Sequence, residues 1–118
     1  MNNLKKLIFT GNLGNDPRVV KTDTSTFVSL SVASSTTYTK DGKKTSKTVW
    51  LDFTANGKLV DIISKYFHKG TRVAIEAEPY NTKRKIGKGK AAKEYTFVAF
   101  KIINILNISD SVNSPEEE

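Results

Sequence analysis

Three aromatic residues in this sequence stand among small polar or basic neighbours, where their rings could stack on flat groups of a ligand. The clearest is Trp50, the single tryptophan of the chain. The segment 47–55 alternates apolar and polar residues, and Trp50 falls on the polar side with Thr48 and Asp52. Exposed rings of this kind form stacking platforms for unpaired nucleic-acid bases. A covering loop or a subunit interface is the alternative explanation for Trp50.

Two tyrosines have similar surroundings. Tyr38 ends a run of small polar residues and precedes a basic stretch, so a core position is not expected. Tyr80 follows Pro79 and lies opposite the apolar side of the segment 71–77 in the strand alternation. We predict stacking for both tyrosines, on the same sheet face as Trp50, with simple loop packing as the alternative for Tyr80.

Basic residues cluster beside these aromatics in two stretches. Four lysines surround Asp41-Gly42, a dipeptide typical of a hairpin tip. Six bases lie within 83–93, a stretch without acids, where Gly87 and Gly89 favour a mobile hairpin arm. Such arms can contact a phosphate backbone, and contacts of this kind weaken as salt rises. Solvated flexible loops are the alternative.

The charge balance also favours a polyanionic partner. The 118 residues include 19 Lys and Arg against 12 Asp and Glu, a net charge of +7. Four of those acids lie in the last nine residues, which hold no base, so 19 bases face eight acids in 1–109, a balance of +11. A small domain with this charge suits nucleic acid or an anionic membrane surface, and we favour nucleic acid.

The sequence offers little for catalysis. It has no cysteine and one histidine, which argues against a disulfide scaffold, a cysteine-based zinc ribbon and a thiol nucleophile. The glycine-rich pieces do not match a phosphate-binding P-loop. Asp52, Glu76 and Glu78 could hold a divalent ion for nuclease chemistry, but the excess of lysine around them favours salt pairing. We therefore predict no catalytic residue, no metal and no cofactor.

The elements that must position these residues are mostly strands. Alternating or β-branched segments predict five of them, at 4–13, 26–33, 47–55, 71–77 and 95–106. A turn is expected across 11–17. One helix is indicated by an apolar stripe at helical spacing, formed by Leu59, Ile62, Ile63, Tyr66 and Phe67. Asn56 is expected to cap this helix and Gly70 to end it.

Five strands with one helix between the third and fourth is the chain order of an OB-fold, a five-stranded Greek-key barrel of the all-β class. We assign residues 1–108 to this domain and 109–118 to a short acidic tail that is expected to be disordered. Phe9, Phe53, Phe67 and Phe100 are predicted core residues, whereas Phe27 and Phe97 are undecided.

Several short motifs resemble bacterial-type single-stranded DNA-binding proteins in order and spacing over about 1–106. They are GNLGNDP at 11–17, KTVW at 47–50, NGKL at 56–59, YFHKGTRV at 66–73 and the pair Ile75-Glu76. The resemblance implies an OB-fold that binds single-stranded DNA with little sequence preference, commonly as a tetramer, although a dimer stays open. The short tail is similar to that of phage- or mobile-element-encoded members.

The resemblance also bears on individual residues. Trp50 and Tyr38 match stacking positions of the family, whereas Asn56 and Arg84 stand where many members carry aromatic residues. Tyr80 could compensate, and phosphate contacts should then matter more than in typical members. The predicted nucleic-acid-binding residues are Tyr38, Lys40, Lys43, Lys44, Lys47, Trp50, Arg72, Tyr80, Lys83, Arg84, Lys85 and Lys88.

The resulting expectation is a non-catalytic protein that coats and protects single-stranded DNA during replication, recombination and repair. A recombinase or annealing protein is a candidate partner. No apolar stretch approaches the ~18 residues of a membrane span, and the first residues turn polar too soon for a signal peptide, so the cytoplasm (of the host, if phage-encoded) is predicted. The alternatives are an RNA-binding OB domain, and an OB-fold protein-interaction module or metal-dependent nuclease.

Overall fold

Strands dominate the computed structural model, which describes residues 3–109. Its elements are β1 (Leu7–Leu13), β2 (Arg18–Lys21), β3 (Thr26–Lys40), β4 (Lys43–Asn56), α1 (Lys58–Tyr66), β5 (Arg72–Ile86), a 3₁₀ turn (Gly89–Ala91) and β6 (Lys93–Asn107). Within the described range, no helix has the length and hydropathy needed to cross a membrane.

The strands close into a barrel. Their order is β1-β5-β6-β4-β3-β2, and β1 also pairs with β3, so β1, β3, β4, β5 and β6 form a closed ring. All pairings are antiparallel except β4 with β6, which meet in parallel at one residue pair, Thr54 with Lys101. We call this β4–β6 contact the seam. With α1 between the third and fourth barrel strands, the predicted OB-fold is confirmed.

The sequence missed β2 and placed a turn too early. β2 is a four-residue strand that pairs with β3 alone, too short to show an alternating pattern. The turn predicted across 11–17 is wrong in its first half, because Gly11, Asn12 and Leu13 belong to β1. Gly11 has a structural role there: a Cβ at this position would stand 2.3 Å from the Ala33 carbonyl oxygen, so β1 crosses β3 at a distance that only glycine permits.

Two hairpins extend well past the barrel, which makes their strands longer than predicted. β3 continues from the predicted end at Ala33 to Lys40, and β5 continues from Ala77 to Ile86. We call the outer parts of these hairpins the first arm (34–49) and the second arm (81–98). The tip of the first arm is at Asp41 and Gly42, both with positive φ (53° and 78°), which confirms the predicted hairpin tip.

The core lies inside the barrel around Phe53. Phe53 is fully buried, with the Phe9 ring centroid at 5.7 Å and the Phe100 centroid at 5.9 Å. Phe67 is buried as well, so the predicted core phenylalanines are confirmed, with Phe9 and Phe100 only partly buried. Val49 lies on the same side of β4 as Phe53 by alternation, yet it is exposed because it stands in the first arm.

The helix differs from its prediction in both ends and in its buried face. Gly57 with φ 65° precedes α1, no side chain caps it, and Asn56 is the last residue of β4. The helix ends at Tyr66, and Gly70 instead shapes the turn into β5, where its N–H donates to the Leu13 carbonyl at 2.9 Å. The buried helix residues are Val60 and Ile63, whereas Ile62 and Tyr66 are exposed.

The last described residues return to the barrel. The N–H of Ile108 donates to the Arg72 carbonyl at 2.9 Å, and the N–H of Arg72 donates to the Ser109 hydroxyl at 2.6 Å. The predicted tail, 109–118, lies outside the described residues apart from Ser109, so its disorder stays a prediction.

Candidate nucleic-acid interface

An open groove of about 1060 Å³ crosses the seam of the barrel. Its walls come from Arg18 of β2, the beginning of β3, the barrel part of β4, the middle of β5 and the facing part of β6. The aromatic residues in its lining are Phe27, Trp50, Tyr80, Phe97 and Phe100. A groove with several aromatic residues on neighbouring strands can hold a series of flat groups along its length.

Trp50 stands in this groove because strand alternation turns it away from the core. Its neighbours in β4 are half-buried or exposed, and its own side chain is 59% exposed. The six-membered ring rests against Gly14, where a Cβ would come within 2.3 Å of Cζ3. The Gly14 N–H in turn donates to the Ser31 carbonyl at 2.9 Å, which fixes the loop after β1 under the ring. The predicted exposure of Trp50 is therefore confirmed.

Replacing Gly14 with alanine should push the Trp50 ring outward, because the new methyl group would lie only 2.3 Å from Cζ3. Quenching of tryptophan fluorescence by acrylamide should increase, while the free energy of unfolding should change by less than about 1 kcal/mol, since the ring lies at the surface. In a Trp50→Leu background, Gly14→Ala should not lower the free energy of unfolding any further. A variant with unchanged acrylamide quenching would show that Gly14 does not position the ring.

Tyr80 lies across the seam from Trp50. It is 43% exposed in the middle of β5, on the side opposite Val73 and Ile75, as predicted. Its hydroxyl is 3.3 Å from the Thr54 hydroxyl, which also donates to the Phe100 carbonyl at 3.4 Å. These contacts fix the ring at the point where β4 meets β6. A stacking role for Tyr80 stays a prediction.

Tyr38 is not brought to the same place. Trp50 pairs with Ala33 and Tyr38 pairs with Thr45, so by alternation Tyr38 shares the side of Val32 rather than that of Trp50. The expectation that Tyr38 and Trp50 share one sheet face is therefore wrong. Tyr38 is 42% exposed in the first arm and does not line the groove.

The basic residues of the first arm also divide between its two sides. Lys40 pairs with Lys43 near the tip, on the same side as Tyr38, and Lys47 shares that side. Lys44 falls on the side of Trp50. The arm therefore carries bases on both sides, and a phosphate backbone could pass along either.

The second arm separates its bases in the same way. Arg84 shares the outer side of β5 with Tyr80, whereas Lys83 and Lys85 point to the other side by alternation. The Lys83 Nζ lies 4.0 Å from Oε1 of Glu94, the acid that directly follows the basic run. Lys88, the last predicted binding residue of this arm, stands in the turn beyond Ile86.

Arg72 lies apart from the groove and both arms. It begins β5, and its Nη1 donates to the Asn12 side-chain oxygen at 3.1 Å. The predicted contact of Arg72 with nucleic acid stays a prediction.

The groove itself is nearly balanced in charge. Its lining holds the bases Arg18, Arg84 and Lys101 together with the acids Asp52 and Glu78. The carboxylate of Asp52 accepts a 2.6 Å hydrogen bond from the Ser31 hydroxyl. The positive charge predicted from composition is thus concentrated in the arms, whereas the groove carries aromatic rings and little net charge.

The structure adds groove residues that the sequence did not single out: Arg18, Phe27, Phe97 and Lys101. Phe27 alternates with Val28 in β3 and so shares the polar side of that strand, a signal that was present in the sequence. Phe97 could be placed only with the register of β6 against β5.

The carboxylates considered for metal binding do not converge. Glu76 pairs with Lys6 at 2.7 Å on the outer side of β5. This hydrogen bond and the charge of Glu76 hold the pKa of Lys6 above its ordinary value. Among residues 3–109, no three His, Asp or Glu side chains lie close enough to hold a metal ion.

A closed OB barrel whose seam is crossed by an aromatic groove, with basic arms extending from it, defines a class of nucleic-acid-binding domain. Comparison with known sequences narrows the class. The model of the single-strand binding protein family matches residues 4–103, and the chain belongs to this family.

Individual relatives agree with this assignment. A single-stranded DNA-binding protein of Bacteroides thetaiotaomicron is 32% identical over 79 residues, covering 64% of this chain and 49% of that protein. Its counterpart in Neisseria meningitidis serogroup A is 33% identical over 98 residues, covering 81% of this chain and 56% of that protein. The chain thus spans about half the length of the curated relatives it matches.

Solved structures show the same fold. The Plasmodium falciparum SSB in complex with ssDNA superposes with a TM-score of 0.73 at 18% identity, covering 92% of this chain and 97% of that one. A mitochondrial single-stranded DNA binding protein from S. cerevisiae gives a TM-score of 0.65, also at 18% identity, covering 92% and 98%.

Proposed function

We propose that this protein binds single-stranded DNA without sequence preference. The observation that carries the proposal is the groove across the seam, where Trp50 and Tyr80 stand exposed on opposite sides of the barrel closure. Membership of the single-strand binding protein family supports it, as does the likeness in fold to a structure solved with ssDNA. Every base has an aromatic face, so stacking of this kind tolerates any sequence.

The groove and the arms would contact different parts of the DNA. Bases would stack on the aromatic surface, and the exposed lysines of both arms would contact phosphates. No catalytic step or cofactor enters this proposal. Coating of transient single strands in replication, recombination and repair follows from such binding. A recombinase or annealing protein as partner and a cytoplasmic location are part of the same proposal.

The direct test is a titration with poly(dT), followed by the fluorescence of Trp50 and by the anisotropy of a labelled oligonucleotide. Tight binding with strong quenching is expected, with duplex DNA binding far more weakly. Poly(U) as competitor addresses the RNA alternative, since the described groove offers no evident feature that would reject a 2′-hydroxyl. A preference for poly(U) would contradict the proposal in favour of RNA. Magnesium in a parallel series would reveal any cleavage.

Affinity should depend steeply on salt, because so much of the positive charge lies on exposed arms. Each phosphate contact adds about 0.7 to the magnitude of the slope of log K against log salt for a single strand. Replacing four lysines of the first arm with alanine should therefore lower that slope by up to about 3. These lysines are Lys40, Lys43, Lys44 and Lys47. The measurement is a salt series of poly(dT) titrations.

A matched control removes the same charge elsewhere. Four lysines outside both arms and the groove serve for this purpose: Lys21, Lys58, Lys65 and Lys69. Their replacement with alanine should leave most of the slope in place. Equal slopes for the two fourfold variants would mean that the first arm does not contact phosphates.

We also propose that the protein forms a homo-oligomer, with a tetramer favoured over a dimer. The outer side of β1, β5 and β6 carries Ile8 and Leu106, which are 65% and 56% exposed, beside the Lys6–Glu76 pair. Apolar residues that stand together on an exposed sheet are often covered by another subunit. The solution mass, measured at the concentrations used for DNA binding, tests this; a monomer there would contradict it.

A further inference from the structure

We propose that Phe97, held beside Arg84, is an additional stacking platform for a base, so that the DNA path continues from the groove onto the second arm. This inference rests on the proposed function. It concerns a residue that the sequence left undecided and that the structure places at the surface, with 39% of its side chain exposed.

The register of the second arm puts Phe97 on the side of the hairpin that faces the groove. Tyr80 pairs with Ala99, Thr82 pairs with Phe97, and Arg84 pairs with Tyr95. By alternation, all six residues share one side of the hairpin. Phe97 therefore faces the small Thr82 across the hairpin and is followed on its own strand by the small Ala99, which leaves its ring accessible.

The same ring belongs to the groove. Phe97, Tyr80 and Trp50 line one continuous cavity that crosses the seam. Tyr80 and Phe97 are diagonal neighbours across β5 and β6, a relation that places side chains roughly 7–8 Å apart. A DNA strand that stacks a base on Tyr80 thus passes Phe97 when it continues toward the tip of the second arm.

The neighbours of Phe97 fit a role in nucleic-acid binding better than a role in the core. The Arg84 guanidinium carbon lies over the ring, 5.7 Å from its centroid, and the Tyr95 ring centroid lies 6.4 Å away with the two planes tilted by 48°. Both neighbours are themselves exposed. An aromatic ring with a guanidinium beside it supplies a stacking surface and a phosphate-binding group at one place.

The chain offers a matched control for this arrangement. Tyr66 is also an exposed aromatic, and the Lys65 ammonium lies 5.3 Å from its ring centroid, but it belongs to α1 and does not line the groove. Removing the ring at Tyr66 therefore tests the loss of a cation–aromatic pair without the loss of a groove residue.

The experiment measures the affinity of the full chain for fluorescein-labelled oligo(dT) by anisotropy. Phe97→Leu should raise Kd roughly tenfold, whereas Phe97→Tyr, which retains a ring, and Tyr66→Leu should leave it near the value of the unaltered chain. If Phe97→Leu binds as tightly as the unaltered chain, the inference is overturned while DNA binding itself stands. Failure of the unaltered chain to bind would overturn the proposed function and this inference together.

A second measurement does not depend on the stability of Phe97→Leu. In a Trp50→Phe background, Phe97→Trp places the only tryptophan of the chain on the second arm, and Tyr66→Trp places it on α1. Poly(dT) should quench the fluorescence of the first double variant strongly and that of the second little. Equal quenching in both, or none in the first while anisotropy reports binding, would overturn the inference.

Discussion

Replacement of Trp50 with alanine should weaken binding to oligo(dT) by about 1–3 kcal/mol, or roughly five- to hundredfold in Kd. The ring is 59% exposed at the groove, so its removal deletes a contact surface and little of the core. Stability should fall by less than about 1 kcal/mol, because most of the Trp50 side chain is exposed. Since the variant has no tryptophan, its affinity is measured by the anisotropy of a labelled oligonucleotide.

Two comparisons make this result specific. Trp50→Phe retains an aromatic ring and should recover much of the lost affinity. A thermal melt of each variant checks that the barrel is intact. If Trp50→Ala binds oligo(dT) as tightly as the unaltered chain while remaining folded, the groove is not the stacking surface, and the lysines of the arms would have to account for binding alone.

Gly11→Ala should destabilise the barrel by about 3 kcal/mol, since the added methyl group meets a backbone carbonyl rather than a movable side chain. The Cβ would lie 2.3 Å from the Ala33 oxygen and 2.9 Å from a methyl group of Val32. Relief requires β1 and β3 to separate, which disrupts the pairing of Asn12 with Ala33 that joins them. The midpoint of thermal unfolding should fall by roughly 10–20 °C.

Gly14→Ala is the natural control, because it adds the same methyl group only three residues later. There the obstacle is the ring of Trp50, which can swing into solvent. The pair should therefore separate two roles within one glycine motif: Gly11 for stability and Gly14 for the position of the ring. Midpoints that differ by less than about 2 °C between the two variants would refute this division.

The barrel was predictable because burial leaves an alternating pattern in the sequence. Phe53 and its neighbours in β4 alternate with polar residues, and this alternation also places Trp50 correctly at the surface. The lengths of the arms were not predictable in the same way. Beyond the barrel both sides of a hairpin face solvent, so strand pairing continues to Lys40 and Ile86 without any apolar period to reveal it.

The docking of the helix α1 could not be predicted from the sequence either. Its apolar stripe was wide enough to permit more than one docking angle, and the sequence does not say which residues face the barrel. Docking buries Val60 and Ile63 and leaves Ile62 and Tyr66 at the surface. The start of the helix depends on a backbone conformation, the positive φ of Gly57, rather than on a capping side chain.

The binding residues were predictable by type more easily than by place. The bases and exposed aromatics are evident in the sequence, but their grouping depends on register. Tyr38 falls on the other side of the first arm from Trp50 because it lies an odd number of positions, five, beyond Ala33, the partner of Trp50. Phe97 joins Tyr80 and Arg84 only through the register in which β6 pairs with β5.

The seam has a thermodynamic consequence for any ligand of the groove. β4 and β6 meet there through a single parallel pair, and Thr54 adds a bond from its side chain to the Phe100 carbonyl. A DNA strand lying in the groove would touch Trp50 on one side of the seam and Tyr80 on the other, so only the closed barrel could hold it. DNA binding in the groove and closure of the barrel would then be linked. DNA present at a hundred times its Kd would stabilise the closed barrel by about 2.7 kcal/mol. Hydrogen exchange should report this linkage: on addition of DNA, amides along the seam should gain more protection from exchange than amides between β1 and β5.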